Sequence, residues 1–143
     1  MLLWILLPDD LDDDDQFDFI LVGIACQHKD YRLCHELNSA LETGLVREND
    51  FEIFNGKRME KVTFSFYRFK TEDDDRYYLL SNKSKQGYLI PEQKQIDYFL
   101  IIRENVKRLN ESVLINRLKE LKVVLGVFRI DPMKLKSREN LLF

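Results

Sequence analysis

The segment from Lys61 to Lys70 alternates apolar and polar side chains, and this alternation constrains the fold more than any other feature of the sequence. Successive side chains of a β-strand point to opposite faces, so Val62, Phe64 and Phe66 fall on one face of an extended backbone. A strand of this kind is half-buried and needs other strands beside it. The pattern therefore predicts one strand over the whole segment, within a sheet.

Short apolar runs bounded by turn residues or prolines predict further strands on both sides of this segment. Residues 17–26 form an almost unbroken apolar run, whose length suits either a buried strand or the first turns of a helix. The sequence leaves both alternatives open for that run. The other predicted strands are residues 2–7, 51–54, 76–81, 96–102 and 123–130, with a turn at Asn55-Gly56 and a polar loop at 82–87.

Two segments repeat apolar residues with the period of an α-helix. Leu33 and Leu37 share one face of a helix predicted over residues 30–43. Asp30 is suited to cap the start of this helix, and Gly44 is suited to end it. The second predicted helix begins after the N-cap Asn110 and carries Leu114, Leu118 and Leu121 on its inner face.

Together these elements predict a single α+β domain over residues 1–143, with a largely antiparallel sheet and two principal helices packed on one face. The chain has 143 residues, 45% of them hydrophobic, which is enough to bury a core without disulfides or a structural metal. The unit from 96 to 130 has the order strand, helix, strand, which suits a right-handed crossover between parallel strands.

The start of the chain and its cysteine content bear on its location. Met1 to Leu7 is apolar, but it is short and an acidic run follows it, so we interpret it neither as a signal peptide nor as a membrane span. The acidic run at 9–15 is predicted to be a loop. Two cysteines do not make a secreted disulfide framework. We expect a cytoplasmic protein with no membrane partner.

Charge is unevenly distributed along a chain whose net charge is −3. Residues 1–30 hold eight Asp and one Lys, whereas residues 103–143 hold ten basic and five acidic residues. Opposite ends of this kind can attract each other within the fold or between subunits, or can simply form two solvated faces. The basic end is too dispersed for duplex binding and the pI is about 5.5, so we do not expect a nucleic-acid partner.

Four polar residues are candidates for a ligand-binding site. Glu92 and Asp97 flank a predicted turn, where paired carboxylates can do acid–base work or can satisfy backbone donors. Tyr98 follows directly in the sequence. Arg32, near the start of the first helix, is suited to clamp a carboxylate or phosphate, or to form a surface ion pair. No catalytic set can be assembled around them.

All the cysteines and histidines of the chain lie within ten residues: Cys26, His28, Cys34 and His35. Such ligands can hold zinc, but the spacing does not match a structural zinc pattern. Cys34 and His35 are adjacent on a predicted helix and point about 100° apart. We expect Cys26 in the core, Cys34 partly buried, both histidines at the surface, no metal and no cofactor.

The residues Ile90-Pro91-Glu92, followed after three positions by Ile96-Asp97-Tyr98, resemble a bacterial family named for this motif, the IPExxxVDY family. Isoleucine stands here at the valine position of the family motif. The resemblance extends over about residues 16–143. Other segments that carry it are 17–24, 30–34, 79–83, 125–128 and 140–143. The resemblance implies a bacterial cytoplasmic protein and supplies no catalytic residues.

These observations predict a non-catalytic protein-interaction module or a homo-oligomeric subunit, whose partner is a second copy of the chain or another protein. Extended strands leave sheet edges that need partners or covers, and the charge is segregated between the two ends of the chain. The alternative is a small ligand-binding domain or enzyme with a site near Arg32, Glu92, Asp97 and Tyr98.

Overall fold

A computed structural model describes residues 16–55 and 60–143 of the chain. The predicted strand at 2–7, the predicted acidic loop at 9–15 and the second residue of the Asn55-Gly56 turn lie outside the described residues. Within the described ranges the chain forms two α-helices and ten strands. The helices are α1 (Asp30–Leu41) and α2 (Glu111–Lys119), and the strands are β1 (Ile20–Ala25), β2 (Val46–Arg47), β3 (Phe51–Asn55), β4 (Glu60–Phe64), β5 (Phe66–Lys70), β6 (Arg76–Ser81), β7 (Lys83–Ser84), β8 (Gly87–Tyr88), β9 (Tyr98–Arg103) and β10 (Gly126–Ile130).

Six of the strands form the main sheet, in the order β10-β1-β9-β6-β5-β2, and every pairing in it is antiparallel. Two small hairpins, β3–β4 and β7–β8, form separate two-stranded sheets. The predicted α+β domain with a mostly antiparallel sheet is confirmed. The apolar run at 17–26 contains a strand, β1, rather than a helix.

The segment from β9 to β10 matches the predicted order of strand, helix, strand, with α2 between the two strands. Both β9 and β10 are antiparallel to β1, so they run in the same direction. They are not neighbours, however, because β1 lies between them. The two strands joined by the predicted crossover are therefore parallel in direction, but they do not pair with each other.

Both helices lie where the periodicity predicted them, but α2 ends at Lys119, before the predicted inward residue Leu121, and the ends of α1 also differ from the prediction. Lys29 occupies the N-cap position and Asp30 is the first helical residue. Glu42, with a positive φ of 54°, ends the helix before Gly44 is reached. In α2 the predicted cap is confirmed, since the Asn110 side chain accepts a hydrogen bond of 3.2 Å from the Val113 amide.

The prediction of one strand from Lys61 to Lys70 is wrong at Ser65, where the chain breaks into β4 and β5. Because β4 pairs with β3 and β5 pairs with β6, the two halves belong to different sheets. The Ser65 carbonyl accepts a hydrogen bond from the Ser81 amide, which holds the corner. The alternation of apolar and polar residues continues through the break. The break allows the β3–β4 hairpin to cover one face of the main sheet.

The core has two parts, one on each face of the main sheet. On the helix face, buried residues of α1 and α2 pack on even-numbered residues of β1 such as Val22 and Ile24. On the opposite face, which we call the hairpin face, the β3–β4 hairpin and the segments after β8 and β10 pack on Leu21. Both principal helices therefore pack on one face, as predicted.

Within the described residues, no helix is long and apolar enough to cross a membrane.

Candidate functional site

The segment from Ile90 to Tyr98, which carries the sequence motif, is held by one buried asparagine. Asn82 is 0% exposed. Its amide nitrogen donates hydrogen bonds of 2.9 Å to the carbonyls of Gln93 and Ile96, and its amide oxygen accepts one of 2.7 Å from the Ile90 amide. A short 3₁₀-helix, Pro91–Gln93, lies between these contacts. All three bonds fix backbone groups, so this side chain is a structural anchor for the motif.

Asp97 connects the motif to the end of β1. Its Oδ2 accepts a hydrogen bond of 2.7 Å from the Cys26 amide, and its Oδ1 forms an ion pair of 2.6 Å with Lys83 Nζ. Its own amide donates to the Ile24 carbonyl. A carboxylate that holds a strand end and a lysine in this way has a positioning role in the fold.

Tyr98 is buried, and its hydroxyl donates a hydrogen bond of 2.7 Å to the His28 carbonyl. Burial raises the pKa of Tyr98 well above its usual value, and the nearby Cys26 and Asp30 add to the effect. A tyrosine held neutral in this way is a hydrogen-bond donor and a poor general base.

A second buried tyrosine, Tyr67, lies in the same region. Burial raises the pKa of Tyr67 to about 12, and Asp30 contributes both through its charge and through a hydrogen bond. Asp30 influences the pKa of both tyrosines, so α1, β5 and β9 meet around one polar cluster.

Glu92 connects the motif to the C-terminal part of the chain. Its two oxygens accept hydrogen bonds from the Ser137 amide at 2.7 Å and the Ser137 hydroxyl at 2.9 Å. Partial burial works to raise the pKa of Glu92, but the hydrogen bonds it accepts, from Ser137 above all, outweigh burial and hold that pKa below its usual value. The carboxylate is therefore kept ionised by a structural contact.

The four predicted ligand-binding residues do not converge on one group. Asp97 and Tyr98 both bind backbone atoms just after β1, whereas Glu92 binds Ser137. Arg32 is exposed on α1 and forms an ion pair of 3.6 Å with Glu36.

Cys26 is buried and His28 and His35 are exposed, as predicted, whereas Cys34, which was predicted to be partly buried, is 6% exposed and belongs to the core. Burial raises the pKa of both thiols, which disfavours the nucleophilic thiolate. Over residues 16–55 and 60–143, no group of three or more His, Cys, Asp or Glu side chains is placed to hold a metal ion.

The structure also shows a surface feature that the sequence analysis missed, at the outer edge of β10. Among the described strands, β10 is the last on its side of the sheet. Leu125 is 68% exposed and Phe128 is 47% exposed, and Met133 is exposed just beyond the strand. We call the outer side of Leu125–Ile130, together with Met133, the β10 edge. The sequence signal for it was Phe128, an aromatic residue directly before Arg129 in a predicted strand.

Two cavities lie beside the C-terminal end of this edge, where β10 passes into residues 131–135. One has a volume of about 630 Å³ and is lined in part by Ile130, Lys134 and Leu135. The other, of about 550 Å³, lies towards the start of α2. Glu111 and Arg129 line both cavities and form an ion pair of 3.0 Å between them. The sheet edge is therefore recessed at its Ile130 end and protrudes at its Leu125 end.

No family model, no curated protein and no solved structure matches the chain.

Proposed function

We propose that this chain is a non-catalytic protein-interaction module that assembles, as a homo-oligomeric subunit or with another protein, through the β10 edge. The observation that carries the proposal is that edge, a five-residue strand that is the last described one on its side of the main sheet, with Leu125 and Phe128 exposed beside it. An exposed strand with unpaired backbone groups is a template for pairing with another chain. The opposite edge of the sheet is formed by the two-residue strand β2, which is too short to serve in the same way.

The contacts of the motif residues support a non-catalytic role. A general acid or base must reach a substrate proton, and a nucleophile must be exposed and activated. Asp97, Tyr98 and Glu92 instead bind protein backbone, and Cys26 and Cys34 are buried thiols with raised pKa values. Their chemistry is used within the fold.

The proposal places the protein in the cytoplasm of a bacterial cell, which the resemblance and the low cysteine content favour. A partner would meet a surface that is apolar at Leu125 and Phe128 and charged at Arg129 and Glu111. Interfaces with an apolar centre and a charged rim are typical of protein partners rather than of small ligands.

Native mass spectrometry of the full chain, purified gently from its own host, tests this proposal. We expect the mass of two or more copies, or of one copy with a second protein in fixed ratio. A chain that remains a single copy at tens of micromolar and copurifies with no protein contradicts the proposal. A discrete extra mass on such a monomer supports the alternative, a ligand-binding domain or enzyme with a site near Arg32, Glu92, Asp97 and Tyr98.

A further inference from the structure

We infer that the occupant of the β10 edge is β10 of a second copy of this chain, paired antiparallel with Phe128 of both copies on the two-fold axis. The inference rests on the proposed function and names its partner and its register. The result would be one continuous antiparallel sheet across two copies.

The pairing of β10 with β1 determines which backbone groups of β10 point away from the sheet. The Leu125 amide donates a hydrogen bond of 2.7 Å to the Ala25 carbonyl, so the polar groups of Ala25 face β10. Backbone groups of alternate residues point to alternate sides of a strand. In the observed register Ala25 and Gly23 lie opposite Gly126 and Phe128, so Gly126 and Phe128 bond towards β1, and Leu125, whose amide also reaches Ala25, lies before the first residue of this ladder. The amides and carbonyls of Val127 and Arg129 point away from the sheet.

An antiparallel partner must place its own outward groups opposite these. When Phe128 of one copy lies opposite Phe128 of the other, Val127 lies opposite Arg129 on both sides of the axis. The two outward pairs then form four hydrogen bonds, because each bonded pair in an antiparallel ladder exchanges two.

Two neighbouring registers also match outward groups, but each has a specific cost. The register centred on Arg129 places two guanidinium groups directly opposite each other, which is destabilising. The register centred on Val127 places Phe128 of each copy opposite Gly126 of the other. The space above Gly126 is already filled by the Phe128 ring of its own chain, which lies 3.1 Å from the position a Cβ would take there. The register centred on Phe128 has neither conflict.

The shape of the edge favours the same register. Gly126 lies opposite Ile130 of the second copy, so the Phe128 ring above Gly126 reaches that Ile130 side chain. Leu125, one residue further along, then lies opposite Asp131 of the second copy. This places the protruding, 68% exposed Leu125 beside the cavity lined by Ile130, Lys134 and Leu135. The two-fold axis repeats the contact, so each copy offers a projection and a recess to the other.

Disulfide trapping at Phe128 tests the register. Residues opposite each other in a non-bonded antiparallel pair have Cα atoms about 4.5 Å apart, within the range of a disulfide. We expect Phe128→Cys to form a cross-linked dimer under a mild oxidant, at least ten times faster than the matched Leu125→Cys. In the proposed register the two Leu125 positions are roughly 20 Å apart, because six residues at 3.4 Å per residue separate them along the strands. The unmodified chain, with Cys26 and Cys34 buried, serves as the background.

A proline at Arg129 tests the backbone pairing by a different route. Arg129→Pro removes an amide that points outward, so the pairing of β10 with β1 remains, whereas two hydrogen bonds across the two-fold axis are lost. We expect the dissociation constant of the dimer to rise at least tenfold, as measured by analytical ultracentrifugation. Arg129→Ala, which also lacks the ion pair to Glu111 but keeps the amide, should dimerise like the unmodified chain. Circular dichroism of dilute samples checks that both variants fold.

The outcomes separate this inference from the function it rests on. An assembly that is unaffected by Arg129→Pro and in which Phe128→Cys does not cross-link overturns the inference and leaves the interaction module standing. A monomer that copurifies with no other protein overturns both. Occupation of the edge by residues 2–7 of the same chain would leave Phe128→Cys uncross-linked and the chain monomeric, and this also overturns the inference.

Discussion

Asn82 shows how one side chain can organise a whole segment of this protein. It lies between two strands of the β6–β7 region, yet it binds three backbone groups of the segment from Ile90 to Ile96. Buried polar groups are stable only when their hydrogen bonds are made, so the amide and this segment require each other. The apolar residues Ile90 and Ile96 are fully buried beside it.

Replacing this amide should therefore be costly. We expect Asn82→Ala to lower the free energy of unfolding by about 2–4 kcal/mol, because it leaves one amide and two carbonyls unpaired in the core. Urea denaturation followed by circular dichroism measures the change. Asn116→Ala, at an exposed position of α2, is the control and should change it by less than about 0.5 kcal/mol. Equal losses for the two variants would contradict the anchoring role.

Glu92 should make the stability of the protein depend on acidity. Its pKa is lowered in the folded state, so its contribution is fully present above the ordinary glutamate value of 4.5 and is lost as the pH falls through the lowered value. We expect Glu92→Gln to cost about 0.5–1 kcal/mol at pH 7, a small value because solvent competes for exposed hydrogen bonds.

The difference between Glu92→Gln and the unmodified chain should then shrink as the pH falls below about 4.5, where the carboxyl of the unfolded chain takes up a proton, and should be lost once the pH passes the lowered pKa of the folded state. Thermal unfolding at a series of pH values from 7 to about 3 measures this trend. Glu139→Gln, an exposed carboxylate in the same C-terminal segment, provides the matched comparison. A difference that stays constant over the whole range would show that the charge of Glu92 plays no part.

At the scale of secondary structure, local patterns predicted the elements better than their partners. α1 and α2 follow from apolar periodicity, and β6 matches the predicted strand at 76–81. The break at Ser65 could not be predicted, because the alternation continues through it and only the long-range pairing of β4 and β5 differs.

The candidate site could be predicted to a similar extent. Glu92, Asp97 and Tyr98 were identified from their residue types and the motif. Their partners, which are Ser137, the Cys26 amide and the His28 carbonyl, depend on the tertiary fold.

The packing of β1 against the motif segment depends on a glycine. A Cβ added at Gly23 would lie 2.7 Å from Cδ1 of Ile96 and 2.9 Å from Cδ1 of Ile130. Ile96 is fully buried and Ile130 packs against the same core, and an interior of this density does not admit an extra methyl group without displacement. The glycine thus lets the hairpin face close onto β1.

Gly23→Ala should destabilise the protein by about 1–3 kcal/mol because of this overpacking. Ile96→Val removes the atom that lies closest to the new methyl group, so the double variant should lose less than the two single losses added together. A double-mutant cycle measured by chemical denaturation gives this coupling energy, which we expect at about 0.5–1.5 kcal/mol. Additive effects would mean that the crowding lies at Ile130 instead.

At the scale of the whole molecule, three layers are held together by different kinds of contact. The helix layer packs on the sheet through aliphatic residues of α1 and α2, whereas the β3–β4 hairpin joins the opposite face largely through aromatic rings. Phe143 lies at the centre of these rings, with its centroid 5.1 Å from Phe51, 5.3 Å from Phe66 and 4.8 Å from Tyr78. Among the described residues the hairpin has no strand pairing with the main sheet, so these ring contacts must supply much of its attachment.

Such an attachment predicts that the hairpin opens more readily than the centre of the sheet. Free energies of local opening range from near zero at loosely attached segments to the global value in core strands. We expect amide hydrogen exchange to be faster in β3 and β4 than in β1 and β9, which are paired on both sides.

Phe143→Ala should raise hairpin exchange on the order of tenfold further, equivalent to ~1.4 kcal/mol, and should leave β1 and β9 nearly unchanged. Val113→Ala removes a side chain that is 45% exposed, as Phe143 is, but from α2 on the helix face, so it should not alter hairpin exchange. Uniform changes across hairpin and sheet would instead mean that the molecule opens as one cooperative unit and that Phe143 stabilises all of it.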